Sequence, residues 1–293
     1  MRRPQVAFLS MDSLEQFVCY DYLVRDVLIQ NGVDVQEVSW RCTSVDWNDF
    51  DLVVIRSPWD YQQAPLEFLA VLEQIEASSA LLFNSIATVR WNMRKTYLKD
   101  IEAAGCTIVP TRWLESPSVE ELRNLFRELN SDQIVVKPVV GANADHAYWL
   151  RPTSDGATFK TAATAFHGSI ALAQPFVDSI QTFGEVSLIF FEDSFSHAVL
   201  KTPKADDFRV QEEHGGVIQR WQPEPSLIDF ARKCLAACSE KTLYSRVDVV
   251  FLADNQPAVM EIELIEPSLY LTYCDDAASR FAEDIIRLLA ASG

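Results

Sequence analysis

The sequence predicts a mixed α/β (α+β) protein in which a parallel N-terminal α/β domain precedes two further parts that contain sheets. Strand-like and helix-like patterns alternate through the first 86 residues, whereas strand patterns dominate after residue 170. The chain of 293 residues, 48% hydrophobic and 23% charged, is large enough for two or three cores. We expect domains at 1–86, 87–175 and 176–293.

The first domain is predicted from short apolar runs that alternate with helical periodicity. Val6-Ala7-Phe8-Leu9 has the length of a strand, and the segment 14–30 repeats apolar residues at helical spacing before Gly32. The same criteria predict strands at 33–38, 52–55 and 81–83 and a helix near 65–77. This alternation is typical of a parallel sheet.

The rest of the chain combines fewer helices with more strands. Its helices are predicted near 88–104, 118–130, 225–241 and 276–290, and its strands at 107–109, 134–138, 170–177, 184–191, 196–202, 246–252 and 257–263. The polar stretch 202–224 has no clear periodicity, so it is either a functional loop or a surface excursion.

Composition excludes several classes of partner. A net charge of −17 and a pI near 4.6 argue against a broad basic face for nucleic acid or anionic membrane. The six cysteines are widely spaced and are interpreted as reduced core residues. Because no apolar run reaches the length of a signal peptide core or a membrane span, we expect a cytoplasmic protein. Homo-oligomer formation stays open.

Three carboxylates lie in two strand-like runs near the C-terminus. Glu261 and Glu263 must share one face of their strand, while Met260, Ile262 and Leu264 are expected to point into a core. Asp248 lies in the preceding strand-like run. Neighbouring carboxylates repel each other unless a cation separates them, and hard oxygen ligands suit Mg²⁺ that is shared with substrate phosphates.

Cations occur where burial alone would not favour them. Lys137 ends an apolar strand, where it either reaches solvent or serves a bound anion. The residues 139–144 that follow are mostly small, and they could form a turn around phosphates. Arg246 is expected on the same strand face as Asp248, either neutralising phosphoryl charge or forming a salt bridge.

The order of these parts, with Asn92-Met93-Arg94-Lys95 and Val135-Val136-Lys137-Pro138, resembles the ATP-grasp superfamily and its glutathione-synthetase-like carboxylate–amine ligases. The resemblance covers nearly the whole chain and implies that two sheets clamp ATP. The residues that it assigns to the nucleotide are Lys95, Lys137, Gln174, Pro175, Phe176, Val177, Asp178 and Glu185. Its metal ligands are Asp248, Glu261 and Glu263, and its catalytic cations are Arg246, Lys201 and Arg209. The superfamily usually has Asn where this chain has Glu263.

A narrower likeness involves Glu261-Ile262-Glu263-Leu264-Ile265-Glu266-Pro267-Ser268 and Arg56-Ser57-Pro58-Trp59-Asp60-Tyr61. These segments are similar to the O-ureido-D-serine cyclo-ligase family of cycloserine biosynthesis. The substrate-side candidates are Arg56, Ser57, Asp60 and Ser268. Alternatively, Trp59 and Tyr61 only cap the first sheet.

The resemblance implies an ADP-forming ligase with ATP and two Mg²⁺ ions, or Mn²⁺, as cofactors. A small amino-acid-like carboxylate would become an acyl phosphate, which an amine then attacks to form a C–N bond, with ring closure within one molecule as one form of the reaction. A non-catalytic nucleotide sensor is the alternative from another class. A metal-dependent hydrolase is less favoured, because the sequence lacks a His-rich ligand set.

Overall fold

The computed structural model describes residues 2–141, 146–204, 209–210, 212 and 215–292. Within these residues the strands form one parallel sheet of four strands and two antiparallel sheets of four and five strands. We call them the N-terminal, central and C-terminal sheets in chain order. The mixed α/β class with a parallel first sheet is therefore confirmed.

The N-terminal sheet has the order β2-β1-β3-β4 and two helices that cover its faces. Its elements are β1 (Gln5–Ser10), α1 (Asp21–Gln30), β2 (Asp34–Ser39), β3 (Leu52–Ser57), α2 (Pro65–Glu76) and β4 (Leu81–Phe83). Because side chains alternate along β1, Phe8 packs in the core beside α1 and Leu9 packs in the core beside α2. Helix α1 begins later than predicted, so residues 11–20 form a loop after β1.

Two short helices lead out of this sheet. They are α3 (Ile86–Asn92) and α4 (Tyr97–Ala103), where the sequence predicts a single helix, and Lys95 lies in the break between them. The predicted strand at 107–109 is wrong. Only one isolated bridge, from Ile108 to Val259, forms there, and the following Pro110 cannot donate to a ladder.

The central sheet has the order β5-β8-β6-β7. Its elements are β5 (Arg112–Glu115), α5 (Val119–Glu128), β6 (Ile134–Pro138), β7 (Tyr148–Leu150), α6 (Gly156–Ala165) and β8 (Ile170–Pro175). The sequence predicts α5, β6 and β8 but misses the other three elements. Strands β5 and β7 are only four and three residues long, and α6 consists mostly of small Ala and Thr residues that give a weak periodic signal.

The C-terminal sheet has the order β11-β10-β9-β12-β13. The elements of this region are α7 (Ser179–Thr182), β9 (Glu185–Phe191), β10 (Ser194–Thr202), β11 (Val217–Trp221), α8 (Pro225–Leu235), β12 (Tyr244–Phe251), β13 (Pro257–Glu263) and α9 (Ala277–Ser292). Strand β11 lies inside the stretch 202–224 that has no clear pattern in the sequence. Residues 205–208, 211, 213 and 214 of that stretch lie outside the described residues.

The packing of the helices connects the sheets across the chain. Tyr97 and Leu98 of α4 belong to the core of the C-terminal sheet, and Phe281 of α9 belongs to a core that also contains Val6 and Phe8 of β1. The N-terminal and C-terminal sheets are therefore held together by helices from distant parts of the chain. The domain boundaries at 86 and 175 stay a prediction.

The cysteines are free thiols in different environments. Cys106 and Cys234 are buried, as predicted, but Cys42 is exposed, so the interpretation of all six as core residues is wrong. Helices as long and apolar as a membrane crossing requires do not occur in the described part of the chain.

Candidate active site

The register of the C-terminal sheet brings charged residues from four strands to one face. Lys201 of β10 is opposite Glu185 of β9, and two residues along β9 Ser187 is opposite Asp248 of β12. Directly opposed residues share a face, as do residues two apart along a strand. Across the next pair, Asp248 is opposite Glu261. By the same rule, Arg246 opposes Glu263, so this polar face continues to the edge strand β13.

Arg246 and Lys201 surround Asp248 with positive charge. The Arg246 guanidinium donates to both oxygens of Asp248, with Nε 3.1 Å from Oδ1 and Nη2 3.0 Å from Oδ2, and it also contacts Glu263. Lys201 Nζ lies 2.5 Å from Glu185 Oε1 and 3.3 Å from Asp248 Oδ1. Burial alone would raise the pKa of Asp248, but Arg246 and Lys201 outweigh it and hold the pKa at about 2. Asp248 is therefore a carboxylate at any physiological pH.

Two lysines approach the same face from the other side of the cleft. Lys95 Nζ donates to the carbonyl of Gly141 at 2.8 Å and forms an ion pair with Glu261. Lys137 Nζ lies 3.9 Å from Met260 Sδ, and burial lowers the pKa of this lysine. Met260 is half-buried: it packs against a core cluster that contains Val250 and Ala258, as expected, and it also lines the cleft.

Local backbone geometry positions Lys95. Because α3 ends at Asn92 and α4 starts only at Tyr97, the chain turns between them and Lys95 N donates to Val139 O at 2.7 Å. Asn92 holds the end of β13, donating to Ile262 O and accepting from Leu264 N, both at 2.8 Å. No local pattern indicates this role for Asn92, because the role depends on a strand 170 residues away.

The segment 174–177, which the resemblance assigns to the nucleotide and which we call the hinge, lies at the other end of the cleft. Gln174, Pro175, Phe176 and Val177 all line it, whereas Asp178 precedes α7 and is not among the lining residues. Phe176 N donates to Gln133 O at 2.8 Å, which anchors the hinge to the central sheet.

The substrate-side candidates divide into two groups. Ser268 lines the cleft, and so do Trp59 and Tyr61, which therefore do more than cap the sheet. Three other candidates, Arg56, Ser57 and Asp60, are not among the lining residues, and nearby groups occupy their side chains. The shortest contacts are from Arg56 Nε to Asp21 Oδ1 at 3.0 Å, from Ser57 Oγ to Ser10 Oγ at 3.1 Å, and from Trp40 Nε1 to Asp60 Oδ1 at 2.7 Å.

Sequence reasoning assigned no role to Glu266, which follows the acidic pair of β13 and also lines the cleft. Burial, together with the charge of Glu263, raises the pKa of Glu266 to about 8. Burial also raises the pKa of Glu263, to about 7, against the opposing effect of Arg246. Its position between Ile265 and Pro267, where an acid is unusual, is the sequence feature that could have identified Glu266 as a site residue.

His197 is a buried histidine that is bound by the backbone. Its Nε2 lies 3.0 Å from Leu269 O and 3.2 Å from Tyr270 O. Burial lowers the pKa of His197 to about 4, so the ring is neutral at physiological pH.

Arg209, the third catalytic candidate, also lines the cleft. Residues 205–208, which precede Arg209 in the sequence, and residues 142–145, most of the predicted phosphate turn, lie outside the described residues.

The carboxylates fit Mg²⁺ in their chemistry. Asp248, Glu261 and Glu263 offer hard oxygen donors, yet a lysine or arginine contacts each of them. Among the described residues, no three acidic, His or Cys side chains converge as a preformed metal cage. This arrangement suits an ion that arrives with phosphates and takes only one or two protein carboxylates.

Comparisons with known proteins identify the family. Residues 6–84 match the N-terminal domain of D-cycloserine synthetase DcsG. The cycloserine biosynthesis protein DcsG of Streptomyces lavendulae is 32% identical over 272 residues, which are 88% of this chain and 90% of that protein. The crystal structure of D-cycloserine synthetase DcsG has a TM-score of 0.84 and 28% identity, covering 97% of this chain and 99% of that one. The ATP-grasp ligase PsnB, complexed with a precursor variant, Mg and ADP, shares the fold at a TM-score of 0.70 and 15% identity, covering 98% and 99% of the two chains. The chain therefore belongs to the DcsG family of ATP-grasp ligases.

Proposed function

We propose that this ATP-dependent ligase activates the carboxylate of a small amino-acid-like substrate as an acyl phosphate, which an amine of the same molecule then attacks. One observation carries the proposal: a single cleft between the central and C-terminal sheets brings cations and carboxylates together, among them Lys95, Lys137, Lys201, Arg246, Asp248, Glu261 and Glu263. Kinship with D-cycloserine synthetase favours ring closure over joining two molecules.

The central sheet would hold the nucleotide. The amide of Val177, directly after the anchored Phe176, donates to no described group, so it is available to the edge of an adenine. Lys137 lies on β6, the partner strand of β8, and projects into the same cleft. It would hold the phosphates together with Lys95.

The C-terminal sheet would hold the metal and the reacting phosphoryl group. Asp248, Glu261 and Glu263 are the proposed ligands of two Mg²⁺ ions, with Mn²⁺ able to replace them. Bound Mg²⁺ would neutralise phosphate charge and orient the terminal phosphoryl group. For this role the phosphates would replace the carboxylates as partners of Lys95 and Arg246.

The cations would then stabilise the charge that moves during transfer. An oxygen of the substrate carboxylate attacks the γ-phosphorus, ADP leaves, and the acyl phosphate forms. The amine nitrogen attacks the acyl carbon, inorganic phosphate leaves, and the nitrogen loses a proton. Lys201, Arg246 and Arg209 would neutralise the phosphoryl oxygens. Glu185 holds Lys201 in the cleft before the phosphates arrive, whereas Arg246 would exchange its carboxylate partners for them.

Isotope transfer tests this proposal directly. Purified protein is incubated with Mg·ATP and O-ureido-D-serine, D-serine or D-alanine, each labelled with ¹⁸O in the carboxylate, while ADP and phosphate are measured. We expect substrate-dependent ADP release and transfer of one ¹⁸O atom to phosphate, which only an acyl phosphate route produces. Hydroxylamine should trap the intermediate as a hydroxamate. ADP release without ¹⁸O in phosphate would contradict the acyl phosphate. A linear product from O-ureido-D-serine would contradict ring closure, whereas D-serine and D-alanine cannot close a stable ring onto their own carboxyl groups.

A further inference from the structure

Glu266 is a largely buried acid that lines the cleft and accepts no side-chain hydrogen bond from the described residues. The residue is 8% exposed and lines the cleft, yet none of the described residues donates a hydrogen bond to its carboxylate. Every other acid on this side of the cleft is paired, Glu261 with Lys95 and Glu263 with Arg246. Neither carboxylate oxygen of Glu266 is a fully buried atom without a partner, so the carboxylate reaches the open cleft, where a ligand can pair with it.

The backbone around Glu266 is held from several directions. Trp59 Nε1 donates to Glu266 O at 2.8 Å, Arg56 Nη2 donates to Pro267 O at 3.4 Å, and Arg246 Nη1 donates to Ser268 O at 3.2 Å. These donors come from β12 and from the end of β3, so the segment is fixed between the N-terminal and C-terminal sheets. The carboxylate is thereby preorganised in the cleft.

The surroundings of Glu266 favour a cation. Trp59 and Phe17 line the same part of the cleft with their ring centroids 5.3 Å apart, and Tyr61 lies beside them. Aromatic faces attract cations, and the nearby carboxylate of Glu263 adds negative charge. An anionic group would be repelled here, whereas an ammonium group would gain aromatic contacts and would favour the ionised form of Glu266, whose pKa burial otherwise raises to about 8.

From this geometry we infer that Glu266 is a specificity residue that binds the α-ammonium group of the substrate, with Trp59 and Phe17 as the aromatic walls of that subsite. The inference rests on the proposed function, which places the carboxylate of the same substrate beside the phosphates. It predicts that Glu266 is the residue by which the site selects 2-amino acids over 2-hydroxy acids of the same skeleton.

Matched pairs of probes test the subsite. The probes are D-serine and O-ureido-D-serine, each compared with the 2-hydroxy acid that keeps the carboxylate and lacks the ammonium group. We measure ADP release with Mg·ATP for the wild type and for Glu266→Gln, which removes the charge at nearly constant volume. For the amino acids, KM should rise by roughly tenfold or more in the variant, with the KM for ATP and the Mg²⁺ requirement unchanged. For the hydroxy acids, ADP release should be weak, and it should be equally weak for the wild type and the variant.

Two further variants separate a binding role from a structural one. Glu266→Asp keeps the charge and should recover part of the affinity for the amino acids. Glu67→Gln removes the charge of an exposed glutamate on α2 and should change neither KM nor kcat. Thermal unfolding of each variant checks the fold.

The outcomes distinguish the two proposals. If the wild type uses amino and hydroxy acids equally well, the ligase function stands and the ammonium subsite is wrong. The subsite is equally overturned if Glu266→Gln weakens both members of a pair alike, lowers only kcat, or raises the Mg²⁺ requirement. If no probe stimulates ADP release by the wild type, the proposed function fails, and this inference fails with it.

Discussion

Two buried arginines show how charge in the cleft differs from charge that supports the fold. Arg246 contacts both Asp248 and Glu263, and Asp248 is shared in turn with Lys201. All four side chains line the cleft. The network is therefore redundant, since each cation keeps an acidic partner when one acid is removed.

Arg56 lies behind the cleft and has no such redundancy. Among the described residues, Asp21 is the one acid that forms an ion pair with it, at 3.0 Å. Its guanidinium carbon lies 5.0 Å from the centre of the Tyr244 ring and 5.7 Å from that of Phe281, and its Nη1 has no hydrogen-bond partner. Burial alone therefore does not identify a functional charge. Acidic partners that are shared between cations at an open cleft do.

The largest effect is expected from Asp248→Asn. The variant loses a proposed metal ligand and the residue that orients both Arg246 and Lys201, so substrate-dependent ADP release should fall by roughly a thousandfold or more. The fold should survive, because Arg246 keeps Glu263 and Lys201 keeps Glu185. A coupled ADP assay and thermal unfolding measure the two effects. Asp229→Asn, an exposed change on α8, is the control. Turnover within tenfold of the wild type would remove Asp248 from the catalytic machinery.

For Asp21→Asn we expect a loss of stability with little loss of turnover, which is the opposite of the result expected for Asp248→Asn. Arg56 would be left buried without a charge partner, which costs about 3 kcal/mol of unfolding free energy or more. Urea denaturation measures this loss, and turnover per folded molecule should change little. The control is Asp34→Asn, because the ion pair of Asp34 with Arg3 is exposed and should contribute less than about 1 kcal/mol. Equal losses in both variants would contradict the difference between the two arginines.

The sequence predicts the cleft better than its surroundings, for a physical reason. Alternation fixes which side chains of one strand share a face, so Arg246 could be grouped with Asp248 and Glu261 with Glu263 from local pattern. The resemblance joined the two pairs into one site, and the register of β12 and β13 places them opposite each other. Lys137 could be found because a cation at the end of an apolar strand is unusual. These signals are local, and the structure preserves them.

Partners that come from distant parts of the chain were not predictable in this way. Asp60 follows a strand of the first sheet, as a ligand-binding residue would, but Trp40 and Arg41 occupy its carboxylate at 2.7 and 2.9 Å. Glu266 is the opposite case. Its position between Ile265 and Pro267 marks it as an unusual acid, but its neighbours along the chain do not show that its carboxylate lacks a partner among the described residues. Alternation predicts the face of a side chain but not what occupies that face.

His197 is a buried titratable group that forms no ion pair with a described residue. His197 is neutral when folded, with a pKa of about 4 against an ordinary value of 6.5, and Arg280 and Asp276 are the charged groups around it. Because the folded pKa is lowered, the unfolded chain binds the proton first as pH falls. The stability that His197 contributes is present above pH 6.5 and is lost between pH 6.5 and about 4.

Denaturation at two pH values measures this contribution. Between pH 7.5 and pH 5, the wild type should lose about 2 kcal/mol more unfolding free energy than His197→Gln, which has no titrating group at this position. Titration of the many carboxylates is common to both proteins and cancels in the difference. An identical pH dependence of the two proteins would show that His197 does not titrate as the buried geometry requires.

The smallest effect is expected at Lys137, where charge should serve binding at the expense of stability. Its Nζ has a thioether contact at 3.9 Å, from Met260, and forms no ion pair with a described acid, so its charge is available to a phosphate. Lys137→Met should weaken the affinity for an ATP analogue by about tenfold, equivalent to about 1.4 kcal/mol. Isothermal titration with Mg·AMP-PNP measures this change, with exposed Lys160→Met as the control. Because burial already lowers the pKa of Lys137, removal of its charge should leave the unfolding temperature unchanged or raise it, in contrast to Asp21→Asn. Unaltered nucleotide affinity together with lost stability would place Lys137 beside Arg56 as a structural charge.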